Sequence, residues 1–148
     1  MTDNPIYYFV AKFVAYCLWC YAGVRLFRSG DKLAIPRALG LGTLRLLMGI
    51  FFGYLIFLLC TALFSSLTPS LPANVITYLI VYVPVRWIEW TIMAVLILPG
   101  PVYFSEWFTA TGRKDRSWRL GGIVISCFAD IPLIAFLGGV IPLGRFFC

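Results

Sequence analysis

Apolar residues run along this chain in four long blocks, separated by short polar or proline-rich segments. The blocks cover residues 6–27, 39–67, 75–98 and 120–143. Each is long enough to cross a bilayer with a hydrocarbon core about 30 Å thick, because a helix rises about 1.5 Å per residue. The pattern predicts an all-α fold, an integral membrane bundle of four transmembrane helices.

A shorter segment lies between the third and fourth blocks. Residues 102–110 are too short and too polar to span a bilayer, and they are rich in aromatic side chains. Such side chains settle at the depth of the lipid headgroups. We therefore expect a short interfacial helix between spans three and four, within a single transmembrane domain that covers residues 1–148.

The composition fits a membrane protein better than a soluble one. Of the 148 residues, 61% are hydrophobic and only 12% are charged, whereas about a quarter of the residues in soluble proteins are charged. The first block follows no basic segment and is too long for a cleaved signal sequence, so we expect it to be retained as a helix. Four spans leave no room for a separate soluble domain.

Positive charge is concentrated at two places. Nine of the 12 Lys and Arg residues lie within residues 25–45 and 113–119. The positive-inside rule then predicts that loops 28–38 and 111–119 are cytoplasmic, with both termini outside, in the cytoplasmic (inner) membrane. Since topology explains the net charge of +6, nucleic acid is not an expected partner; the lipid bilayer is.

Charged residues inside the apolar blocks give the best functional lead. Arg86 and Glu89 lie one turn apart near the centre of the third block, and Asp130 lies near the centre of the fourth. A charge at that depth costs at least about 2.5 kcal/mol and normally faces a partner inside the protein. We expect Arg86 and Asp130 to meet. For Lys12, in the first block, extension to the membrane surface is favoured over a buried role.

Two interpretations of these charges stay open. Tyr82 lies on the same stripe of the third helix as Arg86 and Glu89, beside a kink expected at Pro84. The polar set, which we predict as a ligand-binding site or a buried polar network, comprises Arg86, Glu89, Asp130, Lys12 and Tyr82. It either fixes how the helices pack or forms a site where Arg86 holds an anionic or carbonyl-bearing group. In the second case Glu89 or Asp130 accepts a proton or a cation.

Two short motifs carry less information about function than the buried charges do. Gly49 and Gly53 form a GxxxG, which predicts close helix packing, either within the chain or between copies. Cys17 and Cys20 have the spacing of redox and metal-binding pairs, but they lie in an apolar helix, where thiols usually serve as small apolar side chains.

The sequence lacks the residues of many catalytic systems. It contains no His and no phosphate-binding or dinucleotide motif, so we assign no catalytic residue, metal or cofactor. The favoured function is binding or passage of a small or lipid-like ligand through a polar site at the membrane midplane, in an oligomer, because four helices enclose little space. The alternatives are a membrane-embedded enzyme acting on an apolar or lipid substrate, and an accessory subunit beside other membrane subunits.

Overall fold

The described residues are mostly α-helical, and no strand occurs among them. The computed structural model describes the backbone of residues 5–64 and 71–136, and the side chains of residues 6–56, 58 and 83–131. The helices are α1 (Pro5–Phe27), α2 (Ala34–Phe64), α3 (Leu71–Ile97), α4 (Phe104–Thr109) and α5 (Arg113–Phe136). Helix α1 contacts α2, α3 and α5, and α3 also contacts α2 and α5. The all-α class predicted from the sequence is confirmed.

Two helical stretches qualify as membrane spans by length and composition. They are Ile6–Phe27 and Ala34–Ile56, among the residues that the structure describes. The sequence predicts that the second and fourth spans continue to residues 67 and 143, which lie outside the described residues. A membrane location therefore has support from α1 and α2.

Helix α2 begins at Ala34, earlier than the predicted start of the span at residue 39. The sequence treats Pro36 as the end of a loop, but a proline is tolerated in the first turn of a helix, where its missing N–H has no partner to lose. Asp31 stabilises the preceding turn, since its carboxylate accepts the N–H of Leu33 at 2.9 Å. The predicted loop 28–38 is correspondingly shorter.

Helix α5 also begins early, at Arg113. Most of the predicted loop 111–119 is therefore helical. The carboxylate of Asp115 accepts the backbone N–H of Thr111 at 2.9 Å and its hydroxyl at 2.7 Å, which stabilises the start of the helix. The first turn of α5 is polar, so a search for apolar blocks does not include it in the helix.

A reciprocal contact between two tryptophans joins α1 to α5. The indole N–H of Trp19 donates to the carbonyl of Trp118 at 3.1 Å, and that of Trp118 donates to the carbonyl of Trp19 at 3.3 Å. Gly23 lies beneath the ring of Trp118, and Gly121 beneath the ring of Trp19. Because neither glycine has a Cβ, the two helices approach closely here.

We expect Gly23→Ala to destabilise the protein by about 1–3 kcal/mol, the usual cost of overpacking. A Cβ at this position would lie 2.6 Å from the ring of Trp118, which hydrogen bonds hold in place. The measurement is the loss of helical circular dichroism during titration of the detergent-solubilised protein with a denaturing detergent. Gly40→Ala is the control, because no described atom lies within 4 Å of its Cβ position. Equal stability of the two variants would contradict the prediction.

A buried polar network as the candidate functional site

The long helices enclose charged side chains. The buried charged residues among those described are Lys12, Arg45, Arg86, Glu89, Asp115, Arg119 and Asp130. They fall into three groups, which we name after the residue at the centre of each: the Asp130, Arg45 and Arg119 clusters. Such residues are almost never fully buried unless they are paired. The partners of each group therefore indicate its role.

The Asp130 cluster joins α1, α3 and α5. The Nζ atom of Lys12 lies 2.7 Å from Oδ1 of Asp130, and Arg86 pairs with Oδ2. The hydroxyl of Tyr8 donates to Oδ1 at 3.0 Å and accepts from Lys12 at 2.7 Å. The structure thus brings Arg86 and Asp130 together. Lys12 is only 1% exposed and lies inside the bundle. The extension to the surface that the sequence favours is therefore not observed.

The Arg45 cluster joins all four long helices. Nη2 of Arg45 lies 2.7 Å from Oε2 of Glu89 and donates to Oγ of Ser126 at 3.3 Å. The indole N–H of Trp90 donates to the same Oγ at 3.2 Å. The guanidinium lies 4.7 Å from the ring centroid of Tyr16 and 5.2 Å from that of Trp90. Two aromatic rings, a carboxylate and a hydroxyl therefore hold this arginine in position.

Sequence reasoning misses the role of Arg45. It counts Arg45 among the basic residues near a cytoplasmic loop and names no partner for Glu89. In the structure Arg45 is 0% exposed and forms the ion pair with Glu89. Since α2 begins at Ala34, Arg45 lies about three turns inside the helix.

The sequence does contain a feature that indicates the burial of Arg45. This feature is a row of small residues on the same face of α2. Ala38, Gly42, Arg45, Gly49 and Gly53 follow at spacings of four, three, four and four, which places them on one face of a helix. All five are buried. Both glycines of the predicted GxxxG are thus buried within a single chain. A lone arginine among small residues marks a buried position.

Several polar atoms of the Arg45 cluster lack hydrogen bonds. Among the described residues, Nε and Nη1 of Arg45, Oε1 of Glu89 and the hydroxyl of Tyr16 are buried without a partner. A buried polar atom left in this state costs about 1–3 kcal/mol, and native proteins contain few of them. The cluster therefore has donors and an acceptor in place for a further polar group.

The Arg119 cluster differs, because its arginine is fully engaged. Arg119 donates from Nε and Nη2 to the two carboxylate oxygens of Asp115, at 2.8 and 2.6 Å. Its Nη1 donates to the hydroxyl of Thr91 at 2.9 Å and to the carbonyl of Trp107 at 3.1 Å. These bonds tie α5 to α3 and to α4. Arg119 is thus a buried arginine whose three guanidinium nitrogens all donate hydrogen bonds to the protein.

The carboxylate of Asp115 remains ionised in this cluster. Burial raises its pKa, but hydrogen bonds from Arg119 and Thr111 outweigh burial and hold the pKa below its usual value. An ionised carboxylate is the form that accepts two hydrogen bonds from a guanidinium. The Arg119 cluster is therefore a complete ion pair at neutral pH.

Tyr82, Cys17 and Cys20 are the other residues that the sequence singles out for polar or thiol chemistry. The side chain of Tyr82 lies outside the described side chains, and α3 continues through Pro84 as one helix. Cys17 and Cys20 are free thiols; Cys17 packs against Gly42 of α2, and Cys20 lies in the apolar core. In the described part of the chain, no three His, Cys, Asp or Glu residues are placed to hold a metal ion.

The comparisons with known proteins leave the site to be interpreted from its own geometry. The chain matches no protein-family model, no curated protein and no solved structure.

Proposed function

We propose that this protein is a multi-pass membrane protein that binds a small anionic or carbonyl-bearing ligand inside its helix bundle, at the Arg45 cluster. The observation that carries the proposal is the set of buried atoms without partners on Arg45, Glu89 and Tyr16. Arg119, equally buried, makes bonds from Nε, Nη1 and Nη2. Arg119 therefore serves helix packing, whereas Arg45 has N–H groups available for a ligand.

The polarity of the bundle supports a location in the membrane. Large apolar side chains lie exposed along the outer faces of α1, α2 and α5, among them Val10, Val14, Leu18, Leu47, Phe51, Leu55, Val124, Phe128 and Ile131. Charged residues at the same levels face inward. A soluble protein would expose the opposite set, whereas lipid is the solvent that suits this one. We assign α3 and α5 to the third and fourth spans.

The exposed cations support the orientation. Those in the described residues are Arg25, Lys32, Arg113, Lys114 and Arg116. They lie at the end of α1, in the turn before α2 and in the first turn of α5, which is one end of the bundle. The positive-inside rule assigns this end to the cytoplasm and both termini to the outside. Helix α4 lies near the same end and presents Phe104 and Phe108 outward, as an interfacial helix would.

We expect Lys32→Cys to be inaccessible to a membrane-impermeant maleimide in intact bacterial cells and to react after permeabilisation. The residue is exposed at the basic end of the bundle. The five native cysteines are first replaced by Ser. Tyr7→Cys is the matched control, since Tyr7 is 65% exposed near the other end of α1 and is expected to react in intact cells. The opposite labelling of the two positions would contradict the orientation.

The unpartnered atoms define the chemistry of the ligand. The N–H groups of Arg45 require acceptor oxygens, and Oε1 of Glu89 requires a donor hydrogen. In the described residues, the Asp130 and Arg45 clusters together hold three cations and two carboxylates, because Lys12, Arg45 and Arg86 face Glu89 and Asp130. The excess positive charge fits a carboxylate or a polarised carbonyl that also carries an O–H or N–H. Arg45 thus takes the role that the sequence assigns to Arg86.

We expect the purified wild-type protein to retain a polar small molecule that the double variant Arg45→Met/Glu89→Met lacks. The paired change removes the donors and the acceptor together and leaves neither charge of this ion pair buried without its partner, so the bundle is expected to fold. The measurement is mass spectrometry of organic and aqueous extracts from equal amounts of the two proteins. Arg37→Gln/Asp31→Asn is the control and should retain the molecule, because it removes an ion pair between the turn before α2 and the first turn of that helix. Identical extracts from all three proteins would indicate that the cluster only holds the helices together.

A further inference from the structure

A groove lies between α1 and α5, at the basic end of the bundle and apart from the Arg45 cluster. It has a volume of about 650 Å³ and is open to the surface. Trp19, Ala22 and Leu26 line it from α1, and Arg113, Lys114, Ser117 and Trp118 line it from α5. Both tryptophans of the reciprocal contact between α1 and α5 therefore line the groove.

The groove combines apolar and basic lining residues. Tryptophan, alanine and leucine side chains form an apolar channel, whereas Arg113 and Lys114 place two exposed cations at its rim beside the hydroxyl of Ser117. The only carboxylate nearby in the described sequence of α5 belongs to Asp115. It faces the other side of the helix and is bound by Arg119, so it does not neutralise the rim.

We infer that this groove binds one phospholipid with an anionic headgroup, its phosphate at Arg113, Lys114 and Ser117 and an acyl chain along Trp19, Ala22 and Leu26. Charge complementarity selects the headgroup, because two cations face the groove and none of its lining residues is acidic. The apolar channel requires an acyl chain, which a soluble phosphate lacks. Basic residues at the cytoplasmic surface attract anionic lipids in this way. The inference rests on the proposed membrane location and not on the Arg45 site.

The test is native mass spectrometry of the delipidated protein in mild detergent, with phosphatidylglycerol and phosphatidylcholine of identical acyl chains added in equal amounts. We expect the wild type to retain one phosphatidylglycerol in preference to phosphatidylcholine. Each basic residue near a membrane surface contributes about a fivefold preference. Arg113→Gln/Lys114→Gln should therefore reduce the preference by roughly an order of magnitude or more.

Two further variants separate a defined site from general charge. Arg25→Gln/Lys32→Gln removes two exposed cations from the same end of the bundle but outside the groove, and it should keep the preference. Ala22→Phe fills the channel without changing any charge, and it should abolish retention of the single lipid. Equal retention of the two lipids by the wild type, an equal loss in both charge variants, or an unchanged Ala22→Phe would each overturn the inference.

Failure of this inference is distinguishable from failure of the proposed membrane location. The location is tested by whether the expressed protein resists extraction from membranes at high pH, which does not depend on the lipid in the groove. A protein that stays in the membrane and shows no lipid preference would overturn the lipid site alone. A protein released by this treatment would overturn both.

Discussion

Asp130→Asn is expected to destabilise the protein by about 3–5 kcal/mol or more, the range observed when one partner of a buried ion pair is removed. The carboxylate of Asp130 contacts both Lys12 and Arg86 and accepts a hydrogen bond from Tyr8. Asparagine keeps the shape but loses the negative charge that two buried cations share. The measurement is the midpoint of denaturing-detergent titration, followed by helical circular dichroism.

The control for Asp130→Asn is the double variant Lys12→Met/Asp130→Asn. It removes one of the two cations, so we expect it to be more stable than Asp130→Asn alone, even though it carries an additional substitution. Phe128→Leu, two residues away on the exposed face of α5, should be close to the wild type. If the effects of Lys12→Met and Asp130→Asn simply add, the two residues are not coupled and the ion pair does not stabilise the fold.

Glu89→Met is expected to have the second largest effect, also about 3–5 kcal/mol. It leaves the guanidinium of Arg45 at 0% exposure with only Ser126 as a polar partner in the described structure. The hydrophobic replacement fills the volume, so the loss of stability reports the unpaired charge rather than a cavity. The same titration measures it.

The matched control removes the charge on both sides. Arg45→Met/Glu89→Met should recover most of the stability lost in Glu89→Met, because an apolar pair of similar volume replaces a buried ion pair at little cost. This recovery is needed for the ligand experiment, which uses the same double variant as its folded reference. A double variant as unstable as the single one would show that packing, not charge, governs this site.

The meeting of Arg86 with Asp130 could be predicted from the sequence. Both residues lie near the centres of their apolar blocks, and helices joined by a short connection usually pack side by side. Two opposite charges at the same depth on neighbouring helices lower the cost of their burial by facing each other. Depth and charge together therefore predict this pair.

The role of Arg45 could not be predicted in the same way, because it depends on where a helix begins. The sequence places the start of the second span at residue 39, close enough to put Arg45 beside the cytoplasmic loop. The helix can begin at Ala34 because a proline, here Pro36, is tolerated in the first turn of a helix. A pattern of hydrophobic residues alone does not predict this earlier start. With this start, about three turns of α2 precede Arg45, and its side chain is buried among the helices.

The partner of Glu89 also depends on rotation about the helix axes. Arg86 and Glu89 share a face of α3, so spacing along one helix favours a pair within that helix. Packing instead turns Glu89 toward α2 and Arg86 toward α5. This choice depends on the contacts between helices, such as the ring of Trp90 against Gly122. Single-helix patterns do not contain that information.

The most direct test of the ligand proposal is a density map of the protein in lipid nanodiscs at side-chain resolution. We predict non-protein density within hydrogen-bond distance, about 2.7–3.2 Å, of both the Arg45 guanidinium and Oε1 of Glu89. This density should be absent from Arg45→Met/Glu89→Met. A map in which protein side chains or isolated waters satisfy these atoms would contradict the proposal and identify the network as a device for helix packing.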